Sequence, residues 1–203
     1  MRVVLASSNA GKLKEFAGLL APLGFEVLPQ ARYTRESAAE TGLTFIENAI
    51  LKARHASRAS GLPAIADDSG IEVDALNGAP GVRSARYAGE GASDEQNVQK
   101  LIHAMRDIPA EQRTARYQCA LAYLRFPDDP APLLAQASWE GRIADAPRGA
   151  GGFGYDPVFE VPGRGLTAAE LPPDEKNLLS HRGRALRQLV EALHREHGRL
   201  ASR

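Results

Sequence analysis

Apolar and polar positions follow two periods along this chain, one suited to strands and one to helices. Val3 to Ala6 is a short apolar run with β-branched residues and predicts a buried strand. Leu13, Phe16, Leu20 and Leu23 then form a helical stripe, with Gly24 as its stop. Phe25 to Leu28 predicts a second strand. Thr44 and Glu47 have capping-box spacing ahead of a helix whose apolar face is read as Ile46, Ala49, Ile50 and Ala53, with Gly61 ending it. Ala64 to Ala66 predicts a short strand that stops at Asp67-Asp68-Ser69-Gly70, and Ile71 to Leu76 predicts another. Asn77 to Gly91, rich in Gly and Pro, reads as an irregular loop.

Ser93 and Gln96 repeat the capping-box spacing before a helix with Val98, Leu101, Ile102 and Met105. Two long strands, 115–126 and 133–139, flank Asp128-Asp129-Pro130 and predict a hairpin. Gly149 to Asp156 is a second glycine-rich loop. Leu186, Leu189, Val190 and Leu193 mark an amphipathic C-terminal helix with Ser180 as N-cap. Strand–loop–helix–strand at the start points to an α/β sheet. No long linker or internal repeat divides the chain, so residues 1–203 read as one domain, with two lobes around a cleft compatible with the pattern.

Composition narrows the function. Hydrophobic residues make up 43% of the 203 positions, enough to bury a core. Lys+Arg equals Asp+Glu at 25 each, which argues against a nucleic-acid coat, since that would need a basic excess. A local basic cluster can still bind a small anion. The single cysteine, Cys119, can form neither an internal disulfide nor a four-ligand zinc site. It sits with Leu121 and Tyr123 in an alternating run and reads as core. The N-terminal apolar run is too short for a signal peptide, and no run approaches the roughly 18 apolar residues of a membrane span. The expectation is a soluble cytoplasmic protein.

Five clusters carry candidate chemistry. Ser7-Ser8-Asn9-Ala10-Gly11-Lys12 lies between a strand and a helix start, where backbone N–H groups and the helix dipole favour phosphate and Lys12 adds a point charge. The Walker A spacing is absent. Asp67-Asp68-Ser69-Gly70 offers carboxylates for magnesium, which takes one or two of them plus substrate phosphates, and a base for water. The plain alternative is an Asx-type turn, and adjacent strand positions face opposite ways, so only one aspartate should face the cleft unless the turn has already begun. Glu40, just before Thr41-Gly42, is available as a ligand, whereas Glu47 reads as a cap. Gly151-Gly152-Phe153-Gly154-Tyr155-Asp156 presents aromatics on a glycine-dense loop, suited to stacking on a base. Lys176 can reach phosphate. Arg182 and His181, beside Ser180 and Gly183, can donate to a purine 6-oxo group or sit solvated at a helix entry.

Together these describe a nucleoside triphosphate and its metal, and here the chain resembles the inosine/xanthosine triphosphate pyrophosphatases, bacterial branch. The resemblance rests on Ser7–Lys12, Glu40-Thr41-Gly42, Phe45-Ile46-Glu47-Asn48-Ala49 and Ala66-Asp67-Asp68-Ser69-Gly70. It continues through Gly78-Ala79-Pro80-Gly81-Val82, Ser84-Ala85-Arg86-Tyr87, Gly152–Pro157, Glu175-Lys176-Asn177 and Ser180-His181-Arg182-Gly183. It implies an elongated mixed β-sheet with flanking helices, two lobes around a central nucleotide-binding cleft, and usually a homodimer. It implies hydrolysis of dITP, ITP and XTP to the monophosphate and pyrophosphate, with Mg2+ held by Glu40 and Asp68 and Asp68 as general base. Ser7, Ser8, Asn9, Ala10, Gly11 and Lys12 would grip the triphosphate and Ser69 would touch the nucleotide. Phe153, Gly154, Tyr155 and Asp156 would cover the base, and Lys176, His181 and Arg182 would complete the contacts. Glu47 would then face the metal as well as cap its helix. Ser8 departs from the glycine that relatives often carry. The rival readings are a pyrophosphatase for modified pyrimidine or methylated nucleotides and a nucleotide sensor without turnover.

Overall fold

The first strand, β1 (Arg2–Leu5), buries Val3, Val4 and Leu5 completely, as an apolar run in the middle of a sheet must. The computed structural model describes residues 1–7 and 9–201, with side chains as far as residue 196; Ser8 lies outside the described residues. After β1 come α1 (Ala10–Leu20), β2 (Glu26–Pro29), α2 (Phe45–Ser60) and β3 (Ala64–Val73). Then follow α3 (Asp94–Met105), β4 (Thr114–Leu124), β5 (Leu133–Ile143), β6 (Phe159–Glu160), α4 (Pro173–Leu179) and α5 (His181–Ala201).

The strands form one mixed sheet in the order β2-β1-β3-β4-β5-β6. β1 pairs in parallel with β2 (Val4 opposite Leu28) and with β3 (Val4 opposite Ala64), while β5 and β6 are antiparallel. The 125–132 connection between neighbouring β4 and β5 is too short for the crossover that a parallel pair needs, so the predicted hairpin is present.

The chain forms two compact units. One comprises residues 1–68, 119–136 and 185 onward, and the other 69–118 and 137–184. Every passage between them falls inside a strand or helix: within β3, β4, β5 and α5. The first unit buries Val4, Leu28, Ala56 and Ala64 together. The second has an aromatic core of Tyr117, Trp139 and Phe159, with Tyr117 and Phe159 ring centroids 4.5 Å apart.

Several expectations change. Asp67-Asp68-Ser69-Gly70 is not a turn between two strands but the middle of β3, which runs unbroken from Ala64 to Val73. Tertiary ion pairs neutralise both aspartates there, and Ile71 and Val73 favour extended backbone beyond them. The buried face of α2 is Phe45, Asn48, Ala49, Ala53, Ala56 and Ser57, with Ile46 and Ile50 only half-buried; Asn48 and Ser57 hid it because they are polar. Residues 119–124 of β4 are buried on both faces, so Cys119 is core but the run does not alternate in exposure. β5 runs four residues beyond Trp139, and α4 and β6 carried no recognised signal.

Candidate active site

In the first unit, α1 opens with a cap. Asn9 Oδ1 accepts from the Lys12 N–H (3.0 Å), and Ser7 Oγ accepts from the Asn9 N–H (3.1 Å). The helix therefore begins at Ala10, so Gly11 and Lys12 lie in its first turn and not in a loop. This turn aims the Lys12 ammonium at Asp67, donating to both carboxylate oxygens at 2.9 and 2.8 Å. The Asp67 side chain is 1% exposed.

The start of α2 is fixed by the predicted capping box. Thr44 Oγ1 accepts from the Glu47 N–H, and Glu47 Oε2 accepts from Leu43 N, Thr44 N and Thr44 Oγ1. These bonds, from the Thr44 hydroxyl first, hold the Glu47 carboxyl below the usual glutamate range. Just upstream, the Gly42 N–H donates to Asn48 Oδ1 at 2.9 Å, and a Cβ on Gly42 would lie 2.6 Å from that of Glu47. This close approach ties Glu40, two residues earlier, to the helix.

Two turns into α2, the Lys52 ammonium donates to Asp68 Oδ1 (2.6 Å) and Glu40 Oε1 (3.2 Å). One cation thus bridges the two carboxylates singled out as metal ligands. Burial raises the Asp68 carboxyl above the ordinary aspartate value, aided by the Glu40 and Asp67 charges and opposed by Lys52. Burial works against the Lys52 ammonium, but Asp68, Asp67 and Glu40 outweigh it and raise its pKa. A buried carboxylate of raised pKa beside an ammonium is suited to taking a proton from water. Beside it lies a cavity of about 380 Å³ lined by Ser7, Lys12, Glu40, Lys52 and Asp67 among others.

In the second unit, Ser69 Oγ accepts from Arg182 Nη2 at 3.0 Å. Arg182 and His181 are buried, not solvated at a helix entry. Ser180 caps α5 as expected, its Oγ accepting from the Gly183 N–H. His181 stacks on Tyr117, ring centroids 4.6 Å apart and 10° from parallel. Phe153 is 50% exposed, with the Lys176 ammonium and the Arg182 guanidinium each 5.3 Å from its ring centroid.

Asp156 organises this loop. Its buried carboxylate accepts from Tyr117 Oη (3.2 Å), the Phe153 N–H (2.8 Å) and the Lys176 ammonium. Burial, and then the Asp156 charge, push the Tyr117 phenol well above its ordinary value, so it stays a donor. Gly152 must be glycine here: its φ is +76°, and a Cβ would come within 2.1 Å of Asp156 Oδ2. Gly154 N–H donates to Asp94 (2.7 Å) and Tyr155 Oη to Ser84 O (2.8 Å), which anchors the loop's far side.

The fold therefore gathers Ser7, Asn9, Lys12, Glu40 and Asp68 in one unit, and Ser69, Phe153–Asp156, Lys176, His181 and Arg182 in the other. Asp68 and Ser69 are consecutive in β3. Sequence reasoning missed Lys52 and Tyr117. Lys52 was findable, since it lies four residues from Asn48 and from Ala56 on the buried side of α2. Tyr117 had no local signal, because only the fold brings it to Asp156 and His181.

The family model described as the Ham1 family matches residues 3–192. The dITP/XTP pyrophosphatase of Shigella flexneri is 58% identical over 192 residues, covering 95% of this chain and 98% of that protein. That of Escherichia coli strain K12 is 57% identical with the same coverage. The solved HAM1 protein of Coxiella burnetii superposes with a TM-score of 0.91 at 50% identity, over 96% of this chain and 99% of its own. A nucleoside-triphosphatase / dITP/XTP pyrophosphatase from Mycobacterium abscessus gives 0.78 at 43% identity, over 93% and 98%.

Proposed function

The chain belongs to the Ham1 family, and from that premise we propose that it hydrolyses non-standard purine nucleoside triphosphates, dITP, ITP and XTP, to the monophosphate and pyrophosphate. The observation that carries this reading is Asp68. It is a buried carboxylate of raised pKa that shares the Lys52 ammonium with Glu40 and is followed directly by Ser69, the partner of Arg182.

The donor set suits magnesium. Among the described residues no group of three or more His, Cys, Asp and Glu assembles to hold a metal, whereas magnesium in nucleotide enzymes takes one or two carboxylates and completes its shell from phosphates and water. Glu40 and Asp68 already share one cation, Lys52, and would hold the metal. When bound, magnesium supplies charge neutralisation on the phosphate oxygens.

This chain's own residues do the rest. Asp68 accepts the proton of a water attacking the α-phosphorus; attack there releases pyrophosphate, whereas attack at the γ-phosphorus would release phosphate. Lys12, at the start of α1, adds positive potential for the triphosphate. Phe153 stacks on the base with its exposed face. Arg182, held by Ser69 and by the Phe153 ring, donates to the 6-oxo group, and adenine, with an amino donor there, would leave it unpaired. Asp156 and Tyr117 keep that loop in place. Cleansing of the nucleotide pool in the cytoplasm, by a homodimer that binds no nucleic acid, completes the reading; the balance of 25 basic and 25 acidic residues supports the last point.

The test is a substrate panel with magnesium: dITP, XTP, dATP, dGTP and dTTP, with pyrophosphate and phosphate measured separately. Pyrophosphate from dITP and XTP in preference to the standard nucleotides is expected. No release from any of them would overturn the reading.

A further inference from the structure

The cavity of the first unit holds one cation that the reaction above does not use. Lys12, Lys52 and Arg35 all line it, with Glu40 and Asp67. Two of the three are already committed: Lys12 to Asp67, and Lys52 to Asp68 and Glu40. Among the described residues Arg35 makes no hydrogen bond or ion pair.

The backbone on both sides of Arg35 is held. Thr34 N–H donates to Gln30 O (3.1 Å), and Glu36 N–H to Thr34 Oγ1 (3.1 Å). Glu36 O accepts from Gln30 Nε2 and lies 2.9 Å from His55 Nε2 on α2. Holding this backbone beside the cavity removes the backbone share of the ordering cost on binding, and the exposed Arg35 side chain is left to be ordered by the ligand. Its planar fork of donors matches the oxygens of a phosphate.

Charge balance points to the same ligand. Without Arg35 the group holds three carboxylates, Glu40, Asp67 and Asp68, against two ammoniums, and is net negative. Arg35 brings it to neutrality before any metal is added.

We propose that Arg35 grips the outer phosphates of the substrate and, after cleavage, the departing pyrophosphate. The assignment rests on the pyrophosphatase reading above. It makes Arg35 a recognition residue for the length of the phosphate chain. Arg35 lines the same cavity as Lys12 and Glu40, the phosphate-directed groups, so it should bear on the tail and not on the purine.

The experiment is titration calorimetry of the full chain, with magnesium, using inorganic tripolyphosphate and, separately, deoxyinosine monophosphate. Arg35→Ala is expected to weaken tripolyphosphate binding about tenfold, the worth of one charge-assisted contact, and to leave the monophosphate within about twofold. Arg35→Lys, which keeps the charge and loses the fork, should fall between wild type and Arg35→Ala. Unchanged tripolyphosphate binding in Arg35→Ala, equal weakening of both ligands, or no tripolyphosphate binding by the wild type would overturn the assignment. Turnover of dITP by the wild type is measured alongside. If it is absent while the calorimetric difference stands, the enzyme reading falls and the role of Arg35 in binding a polyphosphate survives.

Discussion

Replacing Asp156 by alanine removes the acceptor of three donors at once: the Lys176 ammonium, the Tyr117 hydroxyl and the Phe153 N–H. The Asp156 side chain is 5% exposed and that of Lys176 18%. Leaving one member of a buried pair behind costs about 3–5 kcal/mol, and the partial exposure of Lys176 puts this case near ~3. The buried Tyr117 hydroxyl adds about 1 kcal/mol as an unmet donor. The Phe153 N–H can turn to water on its half-exposed loop and adds little. The sum is about 4 kcal/mol, and at ~2–4 °C per kcal/mol for a chain of this size the melting temperature should fall by roughly 8–16 °C. Thermal unfolding followed by circular dichroism reads this directly. A cycle with Lys176→Met separates the causes, because the double variant carries no orphaned charge and should be about 2 kcal/mol more stable than additivity predicts. An Asp156→Ala protein within about 1 kcal/mol of wild type, or an additive cycle, would refute the view that Asp156 holds the loop together.

Two further substitutions probe separate parts of the account. Phe153→Ala removes a half-exposed ring and should raise KM for dITP roughly 5- to 150-fold, the range expected for base stacking, with little change in melting temperature; an unchanged KM would exclude stacking. Asp129, whose side chain is 1% exposed, accepts from Arg125 and from the Ala131 N–H, and the Arg125 bond first of all holds its carboxyl well below the usual range. A depressed pKa contributes stability above the unfolded value, near ~3.9, that is lost as pH falls through the folded one. Asp129→Asn should therefore cost about 1–2 kcal/mol at pH 7 in urea unfolding and progressively less below about pH 4; a cost that does not shrink in acid would contradict this.

Much of the fold was legible because its signals are local. The capping boxes at Thr44 and Ser93, the left-handed stops at Gly24 and Gly61 and the apolar runs of β1 and β4 each depend on neighbours a few residues away. β3 was misread because Asp-Asp-Ser-Gly is turn chemistry by composition, while the ammoniums that let it run straight come from Lys12, 55 residues away, and Lys52, 16 residues away. The face of α2 was misread for the same reason: Asn48 is buried because Gly42 supplies its partner, a fact no hydropathy pattern holds. At the site the residue types were legible and their partners were not. Asp67 and Asp68 could not be told apart by alternation alone, yet the fold gives each its own lysine. Asp156 read as a substrate contact, and its three bonds also make it the anchor of the loop that presents Phe153.

The central claim is that Asp68 takes the proton of the attacking water. The most direct test is the rate of pyrophosphate release from dITP by wild type and Asp68→Asn at saturating magnesium, with dITP affinity measured in parallel. Loss of a positioned general base should lower the rate at saturating dITP about 10²–10⁴-fold in a variant that circular dichroism shows to be folded, the Lys52 ammonium keeping Glu40 as its partner. An Asp68→Asn protein that keeps its rate within about tenfold, or a wild type that releases phosphate in place of pyrophosphate, would contradict the account.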